Sequence, residues 1–140
     1  MKPIYEILDE IDNAVSKQEK MKAVERNLSK IFVEVLELTY HPKYQWLVTE
    51  MPDHYISPEE PPKYGYSQMS TQIRKLYLFQ KGNPPAEILT PHKREELLFQ
   101  LLGSLDPRES EVIIGIFKKD LGVRGMDYKF VKEAFPTMLP

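Results

Sequence analysis

The residues best equipped for chemistry in this sequence are three histidines and several paired carboxylates, and their spacing gives them little to do. His41, His54 and His92 stand far apart, without the i, i+4 or Cys-x-x-Cys company that metal sites need, and the sequence has no cysteine to act as thiolate or zinc ligand. Glu59-Glu60 lies in a proline-rich stretch that does not easily desolvate a carboxylate. Glu95-Glu96 falls on the polar side of an expected helix, so neither pair looks tuned for acid–base work. No phosphate-cradling Gly-x-x-x-x-Gly-Lys-[Ser/Thr] or Gly-x-Ser-x-Gly elbow occurs. Neither an enzyme nor a metal or other cofactor is expected.

What remains is a set of turns rich in glycine and basic residues: "QKGNP" at 80–84, the Pro107-Arg108 corner, and "KKDLGVRGMDYK" at 118–129. Glycine lets a backbone approach a phosphodiester closely, and exposed N–H groups at a following helix start attract anions. Flanking Lys or Arg add the counterion-release term. The plainer alternative is that Gly82, Gly122 and Gly125 supply left-handed backbone for connections that any helical protein needs. Charge does not choose between them. The net charge is −2, yet residues 117–140 carry five basic and three acidic groups, while 83–116 carry three and six.

The elements that hold these turns read as helices. Pro3 suits a first helical turn, and Ile4, Ile7, Leu8 and Ile11 follow on one face. Ser16 and Glu19 form a capping box for a helix running to about Asn27. "LSKIFVEVLELTY" presents Leu28, Ile31, Phe32, Val35, Leu36 and Leu38 as an apolar face, ended by His41-Pro42. "KYQWLVTEM" is expected as one or two helical turns. A long proline-rich loop should cover 52–66. Ser67 is expected to cap "QMSTQIRKLYLFQK", with Met69, Ile73, Leu76, Tyr77 and Phe79 inward. Thr90-Pro91 and Asp106-Pro107 open the next two helices, and Asp127 the last. "SEVIIGIF" is the one run β-branched enough to suit a strand. The reading is an all-α single domain, residues 1–140, of seven or eight short helices. With an acidic N-terminus and no apolar run of membrane length, a cytoplasmic protein is expected.

The segments "ILDEI…SKQEKMKAVERN…VLELTY", "KGNPPAEIL" and "KKDLGVRGMDYKFVKEAFPTMLP" resemble, in the same order, the N-terminal α-helical DNA-binding domain of tailed-phage ATP-dependent DNA ligases. They also resemble a small family of uncharacterised tailed-phage proteins of this length. The ligase resemblance implies a sequence-independent grip on the backbone of double-stranded DNA. By matching position, Gly82 and Asn83 would lie against one phosphate run. Lys118, Lys119, Gly122, Arg124, Gly125 and Lys129 would lie against another, with Lys81 and Lys132 at the margins. The Lys-x-Asp-Gly motif that carries the adenylyl group in those ligases is absent, so ligation by this chain is not expected. The rival expectation is a module that binds a host or phage protein, motivated by the acidic surface and by Tyr55, Tyr64, Tyr66 and Trp46, because Tyr and Trp are common interface anchors.

Overall fold

The computed structural model describes residues 2–48 and 65–140. The stretch 49–64, which holds most of the expected proline-rich loop with His54, Tyr55, Glu59, Glu60 and Tyr64, lies outside the described residues. Among those described there are eight α-helices, a single 3₁₀ turn at Leu76–Phe79, and no strand. The helices are α1 (Ile4–Asn13), α2 (Lys17–Arg26), α3 (Lys30–Tyr40), α4 (Met69–Ile73), α5 (Pro84–Glu87), α6 (Pro91–Ser104), α7 (Pro107–Lys118) and α8 (Tyr128–Ala134). The chain divides into two units, one of Met1–Tyr44 with Gly115–Pro140 and the other of Gln45–Ile114. The fold is all-α, and the β-branched run "SEVIIGIF" is helical within α7.

In the first unit, Ile4, Ile7, Leu8 and Ile11 are all buried, and α1 packs on α2. Each such side chain contributes about 1.5–3 kcal/mol by leaving water. Pro3 stands one residue before the helix, its carbonyl accepting from the Glu6 N–H at 3.1 Å. Ser16 Oγ caps α2 by accepting from the Glu19 N–H at 3.1 Å, but Glu19 reaches back to the Val15 N–H at 3.2 Å, not to that of Ser16. Glu10 joins α1 to the second helix and to the chain start. Its carboxylate accepts from Arg26 at 3.0 Å, Asn27 at 2.5 Å and Lys2 at 3.2 Å, and these bonds hold its pKa down at about 2. In α3, Ser29 is the N-cap, which leaves Leu28 ahead of the helix and exposed, while Phe32, Val35, Leu36 and Leu38 are buried and α3 contacts α8.

The second unit departs from expectation in three places. "KYQWLVTEM" is not helical over its described residues, 43–48 (49–51 lie outside them): Trp46 bridges Gln80 antiparallel, the Leu47 N–H donates to Phe79 O at 2.7 Å, and the Lys81 N–H donates to Gln45 O at 2.7 Å. Those cross-chain bonds replace helical ones, which suits a segment rich in aromatic and β-branched residues. The expected helix over 68–81 breaks into α4 and the 3₁₀ turn. At three residues per turn Leu76 and Phe79 share the buried side, and Tyr77 is thrown outward instead of in. Ser67 does not cap α4; its hydroxyl accepts from Gln72 Nε2 at 2.7 Å. Thr90 does cap α6, accepting from the Lys93 N–H at 3.1 Å. Ser110, fully buried on α7, donates its hydroxyl to Leu102 O of α6 at 2.6 Å.

Candidate nucleic-acid interface

The segment after α7 begins with an uncommon helix end. The Lys119 N–H donates to Ile116 O at 3.1 Å and the Asp120 N–H to Gly115 O at 3.0 Å, the paired pattern that closes a helix through one left-handed residue. That residue is usually glycine, yet here it is Lys119, at φ 60°. Its ammonium donates to Tyr44 O at 2.7 Å and His41 O at 3.2 Å, carbonyls at and just beyond the C-terminal end of α3. Burial lowers the Lys119 pKa, consistent with an ammonium drawn partly out of water. The resemblance puts Lys119 against a phosphate; in the structure its charge is committed to α3. The glycine sits four residues earlier, at Gly115, where a Cβ would come within 3.0 Å of the Asp120 carbonyl oxygen.

Four side chains shape the turn that follows. Asp120 Oδ1 accepts from the Gly122 N–H at 2.9 Å, allowing Gly122 its φ of 75°. Asp12, at the end of α1, accepts from the Arg124 N–H at 2.9 Å and from Arg124 Nε at 3.2 Å through the same oxygen. The Arg124 N–H, then its guanidinium, lower the Asp12 pKa against a smaller opposing effect of burial. Buried Lys20 donates to Ile11 O at 2.9 Å and Asp12 O at 3.3 Å, where a helix C-terminus favours a cation. The Lys20 stem lies beneath Gly125, 3.3 Å from where a Cβ would be, and Gly125 holds a φ of 78°. Tyr40 closes the turn from α3 with its hydroxyl 3.5 Å from Met126 O, and burial pushes its phenol up to about 12. Asp127 then caps α8, accepting from the Phe130 N–H at 2.9 Å.

Lys118, Lys129 and Lys132 of this first unit are exposed and make no ion pair among the described residues. Arg124 keeps 76% of its side chain exposed despite the contacts with Asp12. In the second unit, Gly82 at φ 86° donates its N–H to Glu87 Oε1 at 2.8 Å. Asn83 is half-buried, its side-chain amide donating to Tyr77 O at 2.9 Å, and Lys81 is exposed without an ion pair among the described residues. At the Pro107-Arg108 corner, Asp106 Oδ1 accepts from the Arg108 N–H at 2.9 Å.

The glycine turns therefore already hold carboxylates, with Glu87, Asp120 and Asp12 on the N–H groups of Gly82, Gly122 and Arg124. Around them Lys81, Lys118, Arg124, Lys129 and Lys132 are exposed, while Lys20 and Lys119 are turned onto backbone carbonyls. Asp120 was legible as a local Asp-x-Gly turn signature. Asp12 was not, because it lies 112 residues from Arg124 in sequence. The two described histidines are structural in their bonding or exposed. His41 caps α3 and accepts at Nδ1 from the Lys43 N–H at 3.1 Å, and His92 lies exposed in the first turn of α6. Glu96 pairs with Lys93 at 3.7 Å. Among the described residues no group of three or more His, Asp or Glu is placed to hold a metal ion, and no helix is long and apolar enough to cross a membrane.

An all-α chain with this order of helices is similar in fold to part of a solved DNA ligase structure, titled Pmar-Lig_PreS3. The TM-score is 0.73 at 18% sequence identity, and the match covers 100% of this chain and 32% of that one. The chain thus spans about a third of that ligase's length. Residues 7–123 match the family of unknown function DUF6433, and the chain belongs to that family. No curated protein matches it significantly.

Proposed function

We propose that this protein is a non-catalytic, sequence-independent module for double-stranded DNA, serving phage DNA replication, repair or recombination. The observation that carries the reading is the set of exposed lysines without ion pairs, Lys118, Lys129 and Lys132, beside the exposed Arg124. They stand on a fold similar to part of a DNA ligase. Flexible lysines of this kind neutralise phosphates without reading bases. With the turn N–H groups of Gly82 and Gly122 holding their own carboxylates, the grip rests on side-chain charge more than on backbone amides. Binding should therefore weaken steeply with salt, and each of Lys118, Lys129 and Lys132 replaced by Ala should flatten the plot of log K against log salt by roughly 0.9. Duplex binding that is absent, or indifferent to salt, would refute it.

A second reading, a module for a host or phage protein, draws on apolar surface. Ile88 is 82% exposed and Tyr77 is nearly half exposed. A partner retained in a pull-down after nuclease treatment, and lost on Ile88→Asp, would favour it over DNA.

A further inference from the structure

Arg124 offers an anion two donors at once, its backbone N–H and its Nε, and both already point at a single oxygen, Oδ1 of Asp12, at 2.9 and 3.2 Å. The guanidinium also donates through Nη2 to Asp12 O at 3.3 Å. The site is built rather than incidental. Lys20, buried, holds the Ile11 and Asp12 carbonyls from below, its stem passing under Gly125, so the end of α1 and the turn carrying Arg124 are locked in register. A phosphate oxygen approaching Arg124 along the same two donors must displace the carboxylate. Otherwise it must bind through the remaining guanidinium hydrogens, beside a negative charge.

We propose that Asp12 is an internal occupant of the Arg124 anion site, setting the chain's affinity for a nucleic-acid phosphate below what its basic residues would otherwise allow. This rests on the DNA-binding reading above and adds to it a residue that limits the binding. The carboxylate competes with phosphate for the same hydrogens and repels it electrostatically, so removing the charge should let Arg124 make one further phosphate contact. The lowered pKa of Asp12 fits a carboxylate that is strongly held in its ionised form. The bonds it makes at Arg124 are the ones a phosphate would take.

The test compares duplex binding by the full chain, from 50 to 200 mM salt, for wild type, Asp12→Asn, Glu37→Gln, Arg124→Ala and the Asp12→Asn/Arg124→Ala double variant. Glu37, paired with exposed Lys43 at 3.2 Å, controls for the simple loss of one negative charge. Asp12→Asn should bind more tightly than Glu37→Gln. Its salt slope should steepen by about 0.9, so that the fourfold rise in salt costs it roughly 3.5-fold more affinity than it costs wild type. The gain should vanish when Arg124 is Ala. Equal effects of Asp12→Asn and Glu37→Gln, or a gain that persists without Arg124, would overturn the inference while leaving DNA binding intact. Failure of every variant to bind would overturn both. Thermal melts check folding. If Asp12→Asn does not fold, Asp12→Ser, which keeps an oxygen for the Arg124 N–H, carries the same comparison.

Discussion

Replacing Lys119 separates two opposing effects at one residue, and the structure allows each to be sized. The left-handed backbone at φ 60° costs a non-glycine residue roughly 1–2 kcal/mol. Against this stand two bonds from a charged donor, to Tyr44 O at 2.7 Å and His41 O at 3.2 Å. Such bonds contribute about 1.5–3 kcal/mol each at best, and partial burial of the ammonium takes some of that back. The two together are worth about 2–3 kcal/mol. Lys119→Ala loses the bonds and keeps the strain, so it should lose that amount. Lys119→Gly loses the bonds and sheds the strain, less a part for its more flexible unfolded chain, and should be more stable than the Ala variant by about 0.5–1 kcal/mol. Urea unfolding decides the order. With m of roughly 1–2 kcal/mol per M for a small domain, the Ala midpoint should fall by about 1–3 M at unchanged m, with Gly between Ala and wild type. A Gly variant as stable as wild type would show that the two carbonyl bonds add nothing beyond offsetting strain. In duplex binding, Lys118→Ala should flatten the salt slope and Lys119→Ala, once folded, should not. A flattened slope for Lys119→Ala would put its charge back among the phosphate contacts.

Two further substitutions address the frame that holds the turn. Glu10→Gln should cost about 1–2 kcal/mol at neutral pH, since its partners Lys2 and Arg26 are more than half exposed and each surface pair is worth little. Because the folded-state pKa of Glu10 is depressed, its contribution is present above the usual carboxylate range, near 4.5, and is lost as pH falls toward about 2. Acid unfolding of wild type and Glu10→Gln, followed by circular dichroism, should therefore converge over that window; parallel curves would refute the assignment. Gly115→Ala places a Cβ 3.0 Å from the Asp120 carbonyl oxygen and 3.2 Å from Leu121 Cα, both backbone atoms that can yield only by opening the end of α7. A loss of about 1–3 kcal/mol is expected, with a drop in melting temperature that Ala at an exposed helical site does not produce.

The helices were legible because their causes are local. Ser16, Thr90 and Asp127 each accept from the N–H three residues on, and the apolar face of α1 is visible in four positions within one decapeptide. Where a segment's backbone bonds are made to a distant strand of chain, local pattern misled. "KYQW" pairs with residues 79–81, and nothing within its own sequence announces that partner. The run after residue 68 was apolar at helical spacing, but its change to a three-residue turn leaves Tyr77 in solvent.

The glycine and basic turns were likewise legible as turns, since left-handed backbone at Gly82, Gly122 and Gly125 follows from residue type. What their donors hold was a matter for tertiary structure. Lys119 and Arg124 are equivalent cations on paper, five residues apart in the same basic stretch. The fold turns one onto the carbonyls at the end of α3 and leaves the other in solvent against Asp12, because α1 and α3 end beside that turn. Sequence by itself determined the helical class and the position of the turns, through spacing and capping that act over three or four residues. Only the packing of segments 75 to 112 residues apart decided which charges are spent on the fold and which remain for a partner.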